Sequence, residues 1–247
     1  MKIALISDIH ANLPALEAVF ADMDSRKPDA VYCLGDLVGY NVWPNEVVQA
    51  IQKRNIATLA GNHDLKVPRP GNESQVEVFG KNYAYSIVGN SEREYLLTLP
   101  AHIRLEFQLT DEKVNILFVH GSPRSVNEYL LEDMEEALLV EIMQEAKADV
   151  LCFGHSHKPY HRIINTGENG EKYFRHAINI GSVGKPKDNT PKGCYVMLTI
   201  NADCSVTNKE ALQVEFIRFE YDVEKAAKAV EDSPLPHEFA DMLRKGY

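Results

Sequence analysis

The chain has 247 residues, 45% of them hydrophobic and 25% charged, with a formal net charge of −10. That balance suits a soluble globular protein with a real core and speaks against one that wraps nucleic acid through a basic face, while leaving room for a small anionic substrate held by a few concentrated cations. No apolar run approaches the ~20 residues of a membrane span, and Asp8 interrupts the first apolar run too early for a secretory leader, so the expected location is the cytoplasm.

Ile3 to Ser7 reads as a buried strand that delivers Asp8 and His10 at its end. Residues two apart in a strand point to one side, which would aim a carboxylate and an imidazole at one point. Alone, the pair also reads as a loop cap beside a surface histidine. Next, Leu13, Leu16, Val19, Phe20 and Met23 recur at helical spacing, with Asn12 as N-cap, Pro14 in the first turn and a stop before Pro28. Ala30 to Leu34 is a second strand, ending in Gly35-Asp36. Strand, helix, strand predicts a parallel pair with a right-handed crossover. Asp36 then shares with Asp8 the C-terminal sheet edge where open α/β sheets bind ligands.

The pattern repeats. Pro44 or Asn45 starts a helix carrying Val47, Val48 and Ile51, and the strand Ile56 to Ala60 ends in Gly61-Asn62-His63-Asp64. A Pro/Gly-rich loop then leads to a helix predicted over 74–88, where Tyr83 and Tyr85 read as packing residues. Ser91 and Glu94 form a capping box for a second helix ending before Pro100. Ile103 to Leu109 alternates as a half-buried antiparallel strand. Val114 to Val119 is a core strand ending in His120-Gly121-Ser122-Pro123. A helix over 132–146 turns Ala137, Leu138, Ile142 and Met143 to the core, and the strand Asp149 to Phe153 ends in Gly154-His155-Ser156-His157. A hairpin (160–164 with 172–176), strands at 193–200 and 212–221, a helix over 222–230 and a last amphipathic segment complete the chain. There is no internal repeat or linker, so one domain over 1–247 is expected. Cys33, Cys152, Cys194 and Cys204 share no C-x-x-C spacing and read as reduced, largely core residues.

Collected, the strand ends carry Asp8, His10, Asp36, Asn62, His63, His120, His155 and His157. Carboxylate, imidazole and amide donors without thiolate suit Mn, Fe, Zn or Ni rather than a cysteine-rich structural zinc site. The order D-x-H, G-D, G-N-H-D, H-G, G-H-S-H resembles the calcineurin-like metallophosphoesterases from the first residue to about Gly184. GDLVGY…PNEV and NIGSVGKP look most like the small bacterial and archaeal phosphodiesterases of that superfamily.

The resemblance implies a mixed α/β fold, a four-layer αββα sandwich of two packed mixed β-sheets flanked by helices, holding two divalent or trivalent transition-metal ions. By position, Asp8, His10 and His157 would hold one ion, Asn62, His120 and His155 the other, and Asp36 would bridge them. Cations so shared, roughly 3.5–4 Å apart, make a bridging hydroxide available as a nucleophile at neutral pH. It would attack phosphorus in line. His63 would be the catalytic histidine, protonating the leaving alkoxide or steadying phosphoryl charge, and Asp64 could orient it.

Protein phosphatases of the superfamily carry G-D-x-V-D-R-G, whereas this chain reads Gly35-Asp36-Leu37-Val38-Gly39-Tyr40-Asn41. A guanidinium clamp for a dianionic monoester is absent there. The expected activity is therefore a phosphodiesterase on a small or nucleotide-like substrate. A dinucleoside polyphosphate hydrolase and a broad phosphomonoesterase are the alternatives. A non-catalytic scaffold would predict gaps in the ligand set, and there are none. Tyr40 and Arg124 are candidate substrate contacts, with packing and a solvated surface charge as their structural alternatives. His102, His161, His176 and His237 fit no motif.

Overall fold

The computed structural model describes residues 1–72, 77–109, 112–201 and 204–247. Its strands are β1 (Lys2–Ile6), β2 (Ala30–Cys33), β3 (Ala57–Thr58), β4 (His102–Leu109), β5 (Glu112–Val119), β6 (Val150–Phe153), β7 (Tyr160–Asn165), β8 (Phe174–Asn179), β9 (Gly193–Ile200) and β10 (Leu212–Phe219). The helices are α1 (Leu13–Arg26), α2 (Pro44–Lys53), α3 (Tyr83–Ser86), α4 (Asn90–Leu97), α5 (Glu136–Glu145), α6 (Val223–Glu231) and α7 (Glu238–Lys245).

The strands form two five-stranded mixed sheets, ordered β10-β9-β1-β2-β3 and β4-β5-β6-β8-β7. In the first, β1, β2 and β3 run parallel, as the predicted crossover requires. In the second, β5, β6 and β8 run parallel, with antiparallel β4 and β7 at the edges. Ile3 and Leu5 of β1, Ile116 and Phe118 of β5, and Val196 and Leu198 of β9 share the apolar layer between the sheets. The alternate face of β1, with Ala4 and Ile6, packs against Leu16, Val19 and Phe20 of α1 and Val47, Val48 and Ile51 of α2. Leu117 and Leu151 on the far side of the second sheet meet Leu139, Ile142 and Met143 of α5. Period-two alternation thus gives each sheet two apolar faces, and four layers result. Asn12 caps α1 as predicted, its Oδ1 accepting from Ala15 N at 3.2 Å.

Three local expectations fail. The helix predicted over 74–88 is only a 3-10 turn at Gly80–Asn82 followed by α3. Phe79 is extended and Gly80 sits at φ +61°, which breaks the helical run; residues 74–76 lie outside the described residues. The Ser91/Glu94 capping box does not form: α4 starts after Gly89 without a side-chain cap, and Ser91 Oγ donates to Glu92 Oε2 at 2.8 Å. Helix α5 begins at Glu136, and its register buries Leu139 and leaves Ala137 exposed. No helix among the described residues is long and apolar enough to cross a membrane.

Leu5 is fully buried between the sheets. Leu5→Ala is expected to destabilise the protein by about 2–5 kcal/mol through lost transfer energy plus a cavity, read from the urea-unfolding midpoint. A loss below about 1 kcal/mol would contradict the shared inter-sheet core.

Candidate metal centre

The chain leaves each sheet in left-handed backbone. Asp8 (φ +53°), His10 (+51°), Asp36 (+55°), His155 (+64°) and His157 (+60°) all occupy a region that costs non-glycine residues energy. The convergence of Asp8 and His10 therefore does not come from strand alternation, since β1 ends at Ile6. It comes from the turn that follows, in which Asp8 N donates to Gly35 O at 3.0 Å and His10 N to Asp36 O at 2.9 Å. Gly154 permits the approach of the second sheet: a Cβ there would lie 2.4 Å from Asp8 Oδ2. Instead His155 N donates to that oxygen at 3.1 Å.

Asp64 ties two of these loops together rather than orienting His63. Its carboxylate accepts from the N–H groups of Asp36 (2.8 Å), Leu37 (2.9 Å), Val38 (3.3 Å) and Gly61 (2.9 Å). Burial, then the charge of Asp36, push its carboxyl up to about 7, and the N–H donors pull the other way.

The donor atoms meet bare. His10 Nδ1 lies 3.0 Å from Val38 O, His120 Nδ1 2.8 Å from Leu34 O, and His157 Nδ1 2.5 Å from Lys185 O. A carbonyl only accepts, so each of these nitrogens carries a ring proton, and in the neutral ring the inward Nε2 is the lone pair. His155 is reversed, with Nε2 3.3 Å from Asn127 O and Nδ1 inward. Inside, His10 Nε2 stands 3.2 Å from His157 Nε2. His157 Nε2 stands 3.1 Å from Asp8 Oδ1, and His120 Nε2 3.3 Å from Asp36 Oδ2. The Asn62 amide oxygen is 3.0 Å from His120 Nε2. Turned over, that amide would donate to Asp36, His120 and His155 and accept from Lys66 Nζ. Lone pairs so close repel unless positive charge stands among them. Asp8 Oδ1 is buried with no hydrogen-bond partner. The donor set fits metal cations.

The electrostatics pair each carboxylate with an imidazole. Burial works against the charge on Asp8, yet His157 holds its carboxyl well below the usual range, as His120 does for Asp36. Burial likewise opposes charge on His120, but Asp36 raises it to about 10. Burial, reinforced by neighbouring imidazoles, pushes His10 and His155 down. Three sets of possible ligands result, each with ligand atoms within 4.8 Å of one another: Asp8–His10–His157, Asp36–His120–His155 and His10–Asp36–His63.

His63 borders this centre, its ring centroid 4.8 Å from that of His10. Burial lowers its pKa to about 4. Its Nδ1 lies 2.6 Å from the Tyr85 hydroxyl, so Tyr85 is a polar partner and not only packing. Gly39 leaves room for it: the residue sits at φ +93°, and a Cβ there would lie 2.5 Å from His63 Nδ1. Tyr40 stands edge-on to His10 at 4.8 Å. Arg124, by contrast, is ion-paired with Glu128, and His161 pairs with His176 at 3.0 Å. Sequence reasoning missed the role of Tyr85, the stacking of Tyr129 on His155 at 4.1 Å, and four lysines beside His63. Lys185 and Lys187 at least stand at the end of the NIGSVGKP stretch, which was a usable signal.

Residues 1–203 match the sequence model of the calcineurin-like phosphoesterase superfamily domain. An uncharacterised protein of Methanocaldococcus jannaschii is 33% identical over 262 residues, covering 99% of this chain and 98% of its own. Among solved structures, a metallophosphoesterase from Sphaerobacter thermophilus superposes with a TM-score of 0.76 at 28% identity, covering 100% of both chains. A hypothetical protein from Pyrococcus horikoshii OT3 also reaches 0.76, at 23% identity over 100% of this chain and 98% of that one, and shares the fold.

A metal ion must displace any proton held by His120, whose pKa is raised to about 10. Affinity for Mn²⁺ is therefore expected to strengthen as pH rises from 6 to 8, with protons released on binding. Calorimetry in buffers of different ionisation enthalpy reads both, and pH-independent binding without proton release would contradict the assignment.

Proposed function

This chain belongs to the calcineurin-like phosphoesterase superfamily and is a metal-dependent phosphoesterase, and we propose that it is a dinuclear phosphodiesterase acting on small or nucleotide-like esters. In this reading Asp8, His10 and His157 hold one transition-metal ion, Asn62, His120 and His155 hold a second, and Asp36 serves both. Manganese is the first ion to supply, with Fe, Zn and Ni compatible with the same donors. When bound, such ions offset phosphoryl charge and lower the pKa of water to near neutrality. The observation that carries the reading is the convergence of buried carboxylate, imidazole and amide donors on one point, with Asp8 Oδ1 left without a hydrogen-bond partner.

His63 takes the side of the leaving oxygen. In this reading the Tyr85 phenol, kept neutral by burial, is the donor in its 2.6 Å contact with Nδ1, which leaves the ring proton on Nε2. Burial keeps His63 uncharged at neutral pH. It therefore acts as a neutral N–H donor that steadies charge developing on the leaving oxygen, rather than as an imidazolium. Tyr85 thus fills the orienting role that Asp64, held by four backbone N–H groups, does not. The preference for diesters rests on cations: Gly39-Tyr40 replaces the Asp-Arg of the protein phosphatases, and Arg124 is occupied by Glu128. No bidentate guanidinium is offered to a dianionic phosphoryl group by either.

With Mn²⁺ supplied, bis(p-nitrophenyl) phosphate is expected to be cleaved with a higher kcat/KM than p-nitrophenyl phosphate, and a strong monoester preference would refute the diester reading. Asp36→Asn should lose bound metal and turnover together; retained turnover would show that Asp36 is not the shared ligand. Tyr85→Phe should lower kcat on the order of tenfold, the worth of one hydrogen bond, with metal content and KM near wild type. An unchanged kcat would remove Tyr85 from the mechanism.

A further inference from the structure

The cleft beside His63 carries a charge that the chain as a whole lacks. About 570 Å³ in volume, it is lined by Lys66, Lys81, Lys185 and Lys187 and by no acidic side chain among the described residues. The surrounding protein has 36 acidic and 26 basic residues, so four lysines gathered with no acidic side chain in the lining are not a sample of its surface; of the four, Lys185 donates to Tyr247 O at 3.3 Å. Lys185 is buried and Lys187 half-buried, and their Nζ atoms lie 4.7 and 6.0 Å from the centroid of the Tyr40 ring. Clustered ammonium groups out of bulk water need an anion to offset them. The same cleft has an aromatic wall, in which Tyr40 and Phe239 meet edge-on with ring centroids 5.0 Å apart. Its size suits a small ligand.

Position decides which part of a substrate this cleft holds. Cations held by the His and Asp donors would take the phosphoryl group that is attacked, and His63, which lines the cleft, takes the leaving oxygen. We propose that the lysine cleft is the leaving-group subsite, and that it takes a nucleotide: a leaving group carrying a second phosphate next to a flat ring. The inference rests on the phosphoesterase reading for the role of His63. Hydrolysis forms one P–O bond from water and breaks the P–O bond to the leaving nucleotide, with the OH and H of that water divided between the two products. The second phosphate stays intact among the lysines, and the ring lies along Tyr40 and Phe239.

Binding to chelator-treated protein separates this site from the metal chemistry. Calorimetry should find ADP bound on the order of tenfold or more tighter than adenosine, and Lys81→Met/Lys187→Met should weaken ADP by a similar factor, as loss of charge-assisted contacts implies. The single variant Lys81→Met, at an exposed position, should weaken ADP in the same direction and covers the case in which the double variant does not fold. Adenosine binding as tightly as ADP, or variants that retain full ADP affinity, would overturn the proposal. In the Mn²⁺-loaded enzyme, the kcat/KM ratio of diadenosine tetraphosphate to bis(p-nitrophenyl) phosphate should fall about tenfold in the double variant; an unchanged ratio would overturn the leaving-group assignment. Absence of all turnover in wild type, with ADP binding still lost in the variants, would overturn the phosphoesterase reading and the leaving-group role while leaving an anion site.

Discussion

Three imidazoles, those of His10, His120 and His157, each direct Nδ1 at a backbone carbonyl. That placement puts a ring proton on Nδ1 and turns Nε2 inward, as the ligand atom of the neutral ring. His155 reaches the same end with its nitrogens exchanged. Four imidazole nitrogens, two buried carboxylates and an amide oxygen then crowd one point with few hydrogens among them. Such an arrangement is unfavourable by itself, because buried acceptors left unpaired each cost about 1–3 kcal/mol. A bound cation reverses the sign, turning every one of these repulsions into an attraction.

The backbone shows the same logic. Five of the seven donor residues sit at positive φ, each at a cost of order 1–3 kcal/mol. Such conformations persist only where the surroundings over-determine them. Here the apolar layer between the sheets fixes the strands, Asp64 gathers four N–H groups from two loops, and Asn12 and Asn41 tie the first loop to its neighbours through Gly184 O and His10 O. Packing on both faces of each sheet thus holds the turns, and the turns hold the donors.

Much of this was legible beforehand, for an identifiable reason. The donors follow strands whose apolar runs are unambiguous, so strand ends and donors could be placed together, and the crossover rule brought Asp8 and Asp36 to one edge. The cause of convergence was not legible: strand alternation suggested that Asp8 and His10 meet, but left-handed turns make them meet, and the enrichment of Asp and His at positive φ is too weak a mark to place a turn. Tyr85 was hidden because its hydroxyl reaches His63 across a separation of 22 residues, from a segment whose helix is broken at Gly80. Lys66, Lys81, Lys185 and Lys187 come from three distant segments, and only the tertiary fold collects them. The capping box failed because Glu92, two places nearer than Glu94, took the Ser91 hydroxyl.

All of this turns on whether the meeting point of those lone pairs is a place for two cations. Anomalous diffraction from crystals grown with manganese, recorded above and below its absorption edge, addresses that directly. The account predicts two peaks, one among Asp8, His10 and His157 and one among Asn62, His120 and His155, both against the carboxylate of Asp36. A protein that takes up no manganese there, or that holds a single ion away from Asp36, would contradict it.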